Sequence, residues 1–184
     1  MVHADHVDLL RPGVPEQGGT WADLGSGSGA FTLALAELIG PPGVIYSVDT
    51  DRRTLAEQER RTRARFPGAQ VHYACADFTE SLALPVLDGV VMANSLHFHR
   101  RKAPIVAAVR EMLRPGGRLL LVEYNAERGN AWVPYPITFT AWEMLARRCG
   151  FEGTRKIGAR PSRFLGEIYA AESTSPRETR KEAD

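Results

Sequence analysis

The chain has 184 residues, with 23 Lys and Arg against 22 Asp and Glu, and a formal net charge of +1. Such a length predicts one domain with room for a full core, and the evenly mixed charge gives no field that would draw the chain onto nucleic acid or an anionic membrane. No apolar run is long enough to span a bilayer, and two cysteines without metal-ligand spacing, Cys75 and Cys149, fit neither a disulfide scaffold nor a structural zinc.

The first informative stretch is Trp21-Ala22-Asp23-Leu24-Gly25-Ser26-Gly27-Ser28-Gly29. A short apolar entry runs through one carboxylate into a glycine-rich turn. Helical spacing follows at once in Phe31, Leu33, Ala34, Leu35, Leu38 and Ile39, and Gly40-Pro41-Pro42-Gly43 ends it. Val44 to Val48 reads as a buried strand with Asp49 at its end. Thr50 or Asp51 is placed to cap the next helix, which runs to about Phe66 and stops at Pro67-Gly68. Within that helix Arg60, Arg61, Arg63 and Arg65 read as a solvated face beside Glu57 and Glu59.

Val71 to Ala76 is the third predicted strand, ending at Asp77-Phe78, and Gly89 to Ala93 the fourth, ending at Asn94. Ile105, Val109, Met112 and Leu113 keep helical spacing, Arg114-Pro115-Gly116-Gly117 forms a turn, and Leu119 to Val122 is the fifth strand. Thr140-Ala141-Trp142-Glu143 has the form of a capping box opening a helix that ends at Gly150. Thr154 to Ile157 and Glu167 to Ala171 lack a helix between them and are predicted as an antiparallel edge pair. The domain is expected to span 1–171, with a polar, disordered tail over 172–184. Both cysteines are expected as small buried hydrophobes. Met1 to Asp5 lacks the basic start and apolar core of a signal peptide, and a cytoplasmic location is expected.

Five strands with helical crossovers imply a doubly wound, mainly parallel sheet with helices on both faces. Ligands in such sheets sit beyond the carboxyl ends of the strands. At those ends lie Gly25 to Gly29, Asp49, Asp77-Phe78 and Asn94 to His97, each after a different strand, and they converge on one cleft. Gly25-Ser26-Gly27-Ser28-Gly29-Ala30 also satisfies the dinucleotide pattern, with Asp49 at the spacing of a ribose-binding acid. Against a nicotinamide cofactor stands Asp23, a carboxylate where a pyrophosphate would gain nothing and a cation would gain. Asp77-Phe78 adds an acid and an aromatic suited to an adenine amino group and ring face.

These motifs together resemble the class I S-adenosylmethionine-dependent methyltransferases over about residues 18 to 171. The resemblance implies a seven-stranded sheet of order 3-2-1-4-5-7-6 with strand 7 antiparallel. It also implies S-adenosylmethionine as cofactor and S-adenosylhomocysteine as product. Carried over, Asp23, Leu24, Gly25, Ser26, Gly27 and Gly29 form the first motif. Asp49 holds the ribose, with Thr50 beside it also expected to contact the cofactor, Asp77 and Phe78 hold adenine, and Asn94 lines the methionine end. The Arg114-Pro115-Gly116-Gly117 turn is a frequent mark of the same family.

A methyl group on a sulfonium is already activated, so positioning of a nucleophile in line with it is the main task, and no metal is needed. A base matters only if the acceptor loses a proton. His97 is the nearest candidate, either as that base or as part of the cleft wall, with His99 behind it, and no catalytic residue is assigned. Glu123 faces the acceptor or pairs with an arginine. The segment Tyr124 to Thr138, with Asn130 and Trp132, is expected to contact the acceptor together with His97. The acceptor is expected to be a small molecule and not nucleic acid, since the Asn/Asp-Pro-Pro-aromatic run of base-amino methylation is missing at Asn94-Ser95-Leu96-His97. Two alternatives stay open: an NAD(P)-dependent oxidoreductase, and a cofactor-binding protein without transferase activity.

Overall fold

The computed structural model describes residues 1–162 and 164–177. One seven-stranded sheet has the order β3-β2-β1-β4-β5-β7-β6. Its strands are β1 (Thr20–Leu24), β2 (Val44–Asp49), β3 (Gln70–Cys75), β4 (Leu87–Ala93), β5 (Leu113–Tyr124), β6 (Glu152–Ser162) and β7 (Gly166–Thr174). The first five pair in parallel, and β7 runs antiparallel between β5 and β6. The expected strand order and the antiparallel direction of strand 7 are thus observed.

The sheet separates two apolar layers, and β5 shows how. Leu119 and Leu121 join the layer that holds Val106, Trp142 and Leu145. Leu120 and Val122 join the layer that holds Val7, Phe31 and Leu35. That is the two-residue period of a strand buried on both faces. Helices α2 (Ala30–Ile39), α4 (Lys102–Met112) and α5 (Phe139–Arg148) supply the facing stripes. Helix α3 (Arg52–Arg65) is capped by Asp51, whose carboxylate accepts the Arg53 and Thr54 N–H groups at 2.8 and 3.2 Å.

Four local expectations change. Helix α1 (His3–Leu10) was not foreseen; it buries Val7, Leu9 and Leu10 and packs on α2, β6 and β7. Helix α5 is capped two residues earlier than expected, by Thr138 in place of Thr140; the Thr138 hydroxyl accepts the Ala141 N–H at 3.3 Å. The first turn is pulled earlier because Phe139 packs on the buried ring of Tyr169, centroids 5.8 Å apart. Strand β7 continues through Glu172, Ser173 and Thr174. Buried Glu172 is held there by Arg118 and Arg155 at 2.7 and 2.5 Å. The domain therefore runs past 171, and residues 178–184 of the expected tail lie outside the described residues.

The fourth concerns the cysteines, which are not buried: Cys75 is exposed at the end of the edge strand β3, and Cys149 is half-buried. The Arg114 to Gly117 turn is built as an irregularity at the start of β5, with Gly116 at a φ of 76° and its N–H on the Ser175 carbonyl at 3.0 Å. The arginines of α3 are exposed as expected, although Arg61 also donates to the Ser28 carbonyl at 3.0 Å. No helix among the described residues is long and apolar enough to cross a membrane.

Candidate active site

A cleft of about 560 Å³ opens at the carboxyl ends of β1 to β4, within the range of small-ligand sites. Gly25, Ser26 and Gly27 line it from the turn after β1, Asp49 and Thr50 from the end of β2, Asp77 and Phe78 from the end of β3, and Asn94 from the end of β4. Eight of the eleven residues expected to bind the cofactor are therefore brought together. Asp23 and Leu24 lie beneath the cleft, fully buried, and Gly29 opens α2 in a left-handed conformation.

The glycines of the turn differ in purpose. A Cβ on Gly29 would stand 2.2 Å from Gln58, and one on Gly25 would stand 2.5 Å from Ser95, so those two permit packing of the loop against α3 and the end of β4. A Cβ on Gly27, at a φ of 51°, would meet nothing within 4 Å. It would project into the cleft that Gly27 lines, which is where a ligand can approach backbone.

Support for the turn comes from below. Asp49 accepts the Gly27 N–H at 2.8 Å and the Asp51 N–H at 2.9 Å. Gln58 of α3 donates to the Gly27 carbonyl at 3.1 Å and accepts from Ser47 at 2.6 Å, and Ser47 Oγ lies 2.8 Å from Ser26 Oγ. Ser47 and Gln58 are supports of the glycine turn that sequence spacing did not single out. The sole signal was two polar residues at core-facing positions of β2 and α3. At the next strand end, Asp77 accepts from the Thr79 N–H and hydroxyl at 2.8 and 2.7 Å, which hold its pKa below the usual carboxylate value.

Asp23 is the most perturbed carboxyl. Its Oδ2 accepts the Thr32 hydroxyl at 2.6 Å, while its Oδ1 is buried without a partner. Burial first, then the nearby Asp49 charge, push its pKa up to about 7, against the opposing Thr32 bond. The unfolded chain releases this proton near 3.8. Between the two values the folded state binds the extra proton, so Asp23's contribution to stability falls as pH rises through that window. Asp23→Asn is expected to flatten this part of the stability–pH curve measured by urea unfolding. An unchanged slope would mean that Asp23 is ionised in the fold across the window.

The acceptor-side expectations fare differently. His97 is 3% exposed and Glu123 is fully buried. Glu123 accepts both the backbone N–H of His97 at 3.0 Å and, across a 2.8 Å contact, its Nδ1. Glu123 thus pairs with a histidine and not with an arginine. His97 does not line the cleft; its neighbours Phe98 and His99 do. The β5–α5 connection is tied to this region through the Tyr135 N–H on the His97 carbonyl at 3.0 Å. Asn130 uses its side-chain oxygen for the N–H groups of Trp132 and Val133, both at 2.9 Å, shaping its own loop. Trp132 is 74% exposed, and neither residue lines the cleft.

With this geometry in place, a methyltransferase-domain family model matches residues 22–119. The chain belongs to the methyltransferase domain family. A ubiquinone/menaquinone biosynthesis C-methyltransferase of Azotobacter vinelandii is 29% identical over 123 residues, 64% of this chain and 48% of that protein. The chain thus spans about half the length of that relative. Among solved structures, the magnesium protoporphyrin IX methyltransferase of Synechocystis superposes with a TM-score of 0.74 at 16% identity, over 94% of this chain and 77% of that one. The 1,6-didemethyltoxoflavin-N1-methyltransferase of Burkholderia thailandensis gives 0.72 at 16%, over 95% and 78%. At these identities the structures share the fold.

Proposed function

We propose that this chain binds S-adenosylmethionine and transfers its methyl group to a small-molecule acceptor. The observation that carries the reading is one cleft that joins the open Cβ direction of Gly27 to Asp49 and Asp77, above the buried, half-partnered carboxyl of Asp23. A cation in that cleft favours ionised Asp23 and offsets the cost of its buried charge; a dinucleotide pyrophosphate would add to that cost. Asp49 would accept the ribose hydroxyls, Phe78 and Asp77 the adenine ring and its amino group, and Asn94, whose buried Oδ1 has no partner, a donor at the methionine end. Bound S-adenosylmethionine supplies an activated methyl group, and the chain supplies alignment of the acceptor with it. The magnesium protoporphyrin IX methyltransferase has been solved with bound S-adenosylmethionine and the toxoflavin enzyme with bound S-adenosylhomocysteine, which supports the same cofactor here. Their acceptors differ from each other and name none for this chain.

Phe98, 58% exposed and lining the cleft, is the apolar surface at the acceptor side, and the loop of Asn130 and Trp132 would meet an acceptor only outside the cleft.

S-adenosylhomocysteine at about a hundredfold excess over its Kd is expected to raise Tm by on the order of 5–10 °C, and NAD to leave it unchanged. The reverse pattern would transfer the site to the nicotinamide alternative. Asp49→Ala is expected to weaken S-adenosylhomocysteine by at least about tenfold, since its charge-assisted bonds contribute about 1.5–3 kcal/mol each. A variant with a lower Tm but wild-type affinity by calorimetry would make Asp49 a support of the glycine turn only.

A further inference from the structure

The cleft receives one imidazole from outside the strand-end loops. His6 of α1 lines it, with its ring edge-on to Phe31, centroids 4.8 Å apart. Helix α1 packs on β6 and β7 as well as α2, whereas Asp49 ends β2 and Asp77 lies just past the end of β3, toward the other edge of the sheet. The cleft therefore has an acidic pole and an imidazole pole. Resting on the function proposed above, the nucleoside occupies the acidic pole, and the sulfonium and acceptor lie toward α1. We propose that His6 accepts the proton that the acceptor loses during methyl transfer. The acceptor then presents a hydroxyl or an acidic C–H, a class that needs a base, in contrast to a free amine.

The other histidines near the cleft are engaged. His97 is closed in with Glu123, and His99 packs edge-on against Phe78, 5.1 Å away, in the field of Asp77 at the acidic pole. His6 is affected by burial and by charges, and no hydrogen bond contributes among the described residues. Burial first, then the amino terminus and His3, hold it below the ordinary histidine value, opposed by Asp5, so the ring is neutral and able to take a proton at pH 7. Of the neighbouring charges, Arg61 of α3 is held on the Ser28 carbonyl at 3.0 Å, and the side chains of α1 and of the strands under it are paired. His3 is on Glu37 of α2 at 2.7 Å, Asp5 and Asp8 are on Arg160 of β6 at 3.6 and 2.9 Å, and Glu167 of β7 is on Lys156 at 2.5 Å.

In the step, an unprotonated ring nitrogen of His6 takes the acceptor's proton and becomes cationic. The electron pair left on the acceptor atom forms the bond to the methyl carbon, and the carbon–sulfur pair stays on sulfur. The imidazolium then returns its proton to solvent.

The test follows the His6 Cε1–H resonance by NMR across pH, assigned with His6→Gln, in the presence of each ligand. A sulfonium charge near the ring is expected to lower the His6 pKa by about one unit with S-adenosylmethionine relative to S-adenosylhomocysteine, which differs only by the charged methyl. With tritiated-methyl S-adenosylmethionine and the small-molecule fraction of a cell extract, His6→Ala is expected to lose at least about tenfold of label transfer while keeping S-adenosylhomocysteine affinity. Added imidazole should restore part of the transfer. Equal titration with both ligands would overturn the proposal. So would a rise with both ligands, which would mark a contact to the amino-acid carboxylate, or undiminished transfer by His6→Ala. If calorimetry detects neither ligand on the wild type, the cofactor reading itself fails, an outcome separate from a silent His6.

Discussion

Gly27→Val is expected to abolish S-adenosylhomocysteine binding in calorimetry, a loss of more than about a hundredfold, or ~2.7 kcal/mol. The cause is space as well as strain. Gly27 lines the cleft, its φ is 51°, and an added Cβ finds open room there and no protein atom. A branched side chain would occupy the volume that the ligand needs. Holding a branched residue in the left-handed region costs about 1–3 kcal/mol, so Tm should fall by several degrees, about 2–4 °C per kcal/mol at this size, with the far-UV spectrum kept. Gly27→Ala carries most of the backbone cost and little of the bulk, and should bind with intermediate affinity. Wild-type affinity in Gly27→Val would remove this turn from the ligand site. By contrast, Gly29→Ala drives its Cβ against Gln58 and should cost stability first.

The sheet was legible because each buried strand is a short apolar run closed by Gly, Asp or Asn, and because helical spacing separates them. The acidic pole was legible for the same reason: Asp49 and Asp77 end strands, and topology gathers strand ends. Three parts were not legible. His6 lies far along the chain from the residues that it joins, on an eight-residue helix too short to show a clear apolar period. The Ser47–Gln58 support is a pair of ordinary polar residues until β2 and α3 are packed together. The partner of Glu123 depends on the backbone after β4 turning back over β5, which no local pattern states. The conformation of the β5–α5 loop was not legible either: Asn130 folds the loop on itself and leaves Trp132 in solvent, away from the cleft.

The second large effect concerns the pair under the cleft floor. Glu123→Ala leaves two donors of His97, its backbone N–H and, in the tautomer that faces the carboxylate, Nδ1–H, without the oxygens that accept them at 3.0 and 2.8 Å. Both residues are buried, so water is not at hand to replace the carboxylate. Each stranded donor costs about 1–3 kcal/mol, and the sum, on the order of 2–6 kcal/mol, is a large share of an ordinary domain's stability. Urea unfolding should show a lower midpoint with an unchanged slope, and Tm should fall by on the order of 10 °C. The loss should reach the cleft as well, because the backbone fixed at His97 is continuous with Asn94, Ser95 and Phe98, which line it. Glu123→Gln separates hydrogen bonding from charge. Its carbonyl still accepts the His97 N–H, but its amide must then donate to Nδ1, which moves the ring proton to Nε2. That exchange should cost about 1 kcal/mol and appear in 15N spectra as a change of tautomer. If Glu123→Ala instead melts within about a degree of the wild type, solvent reaches the pair, and His97 is then free to meet the acceptor directly.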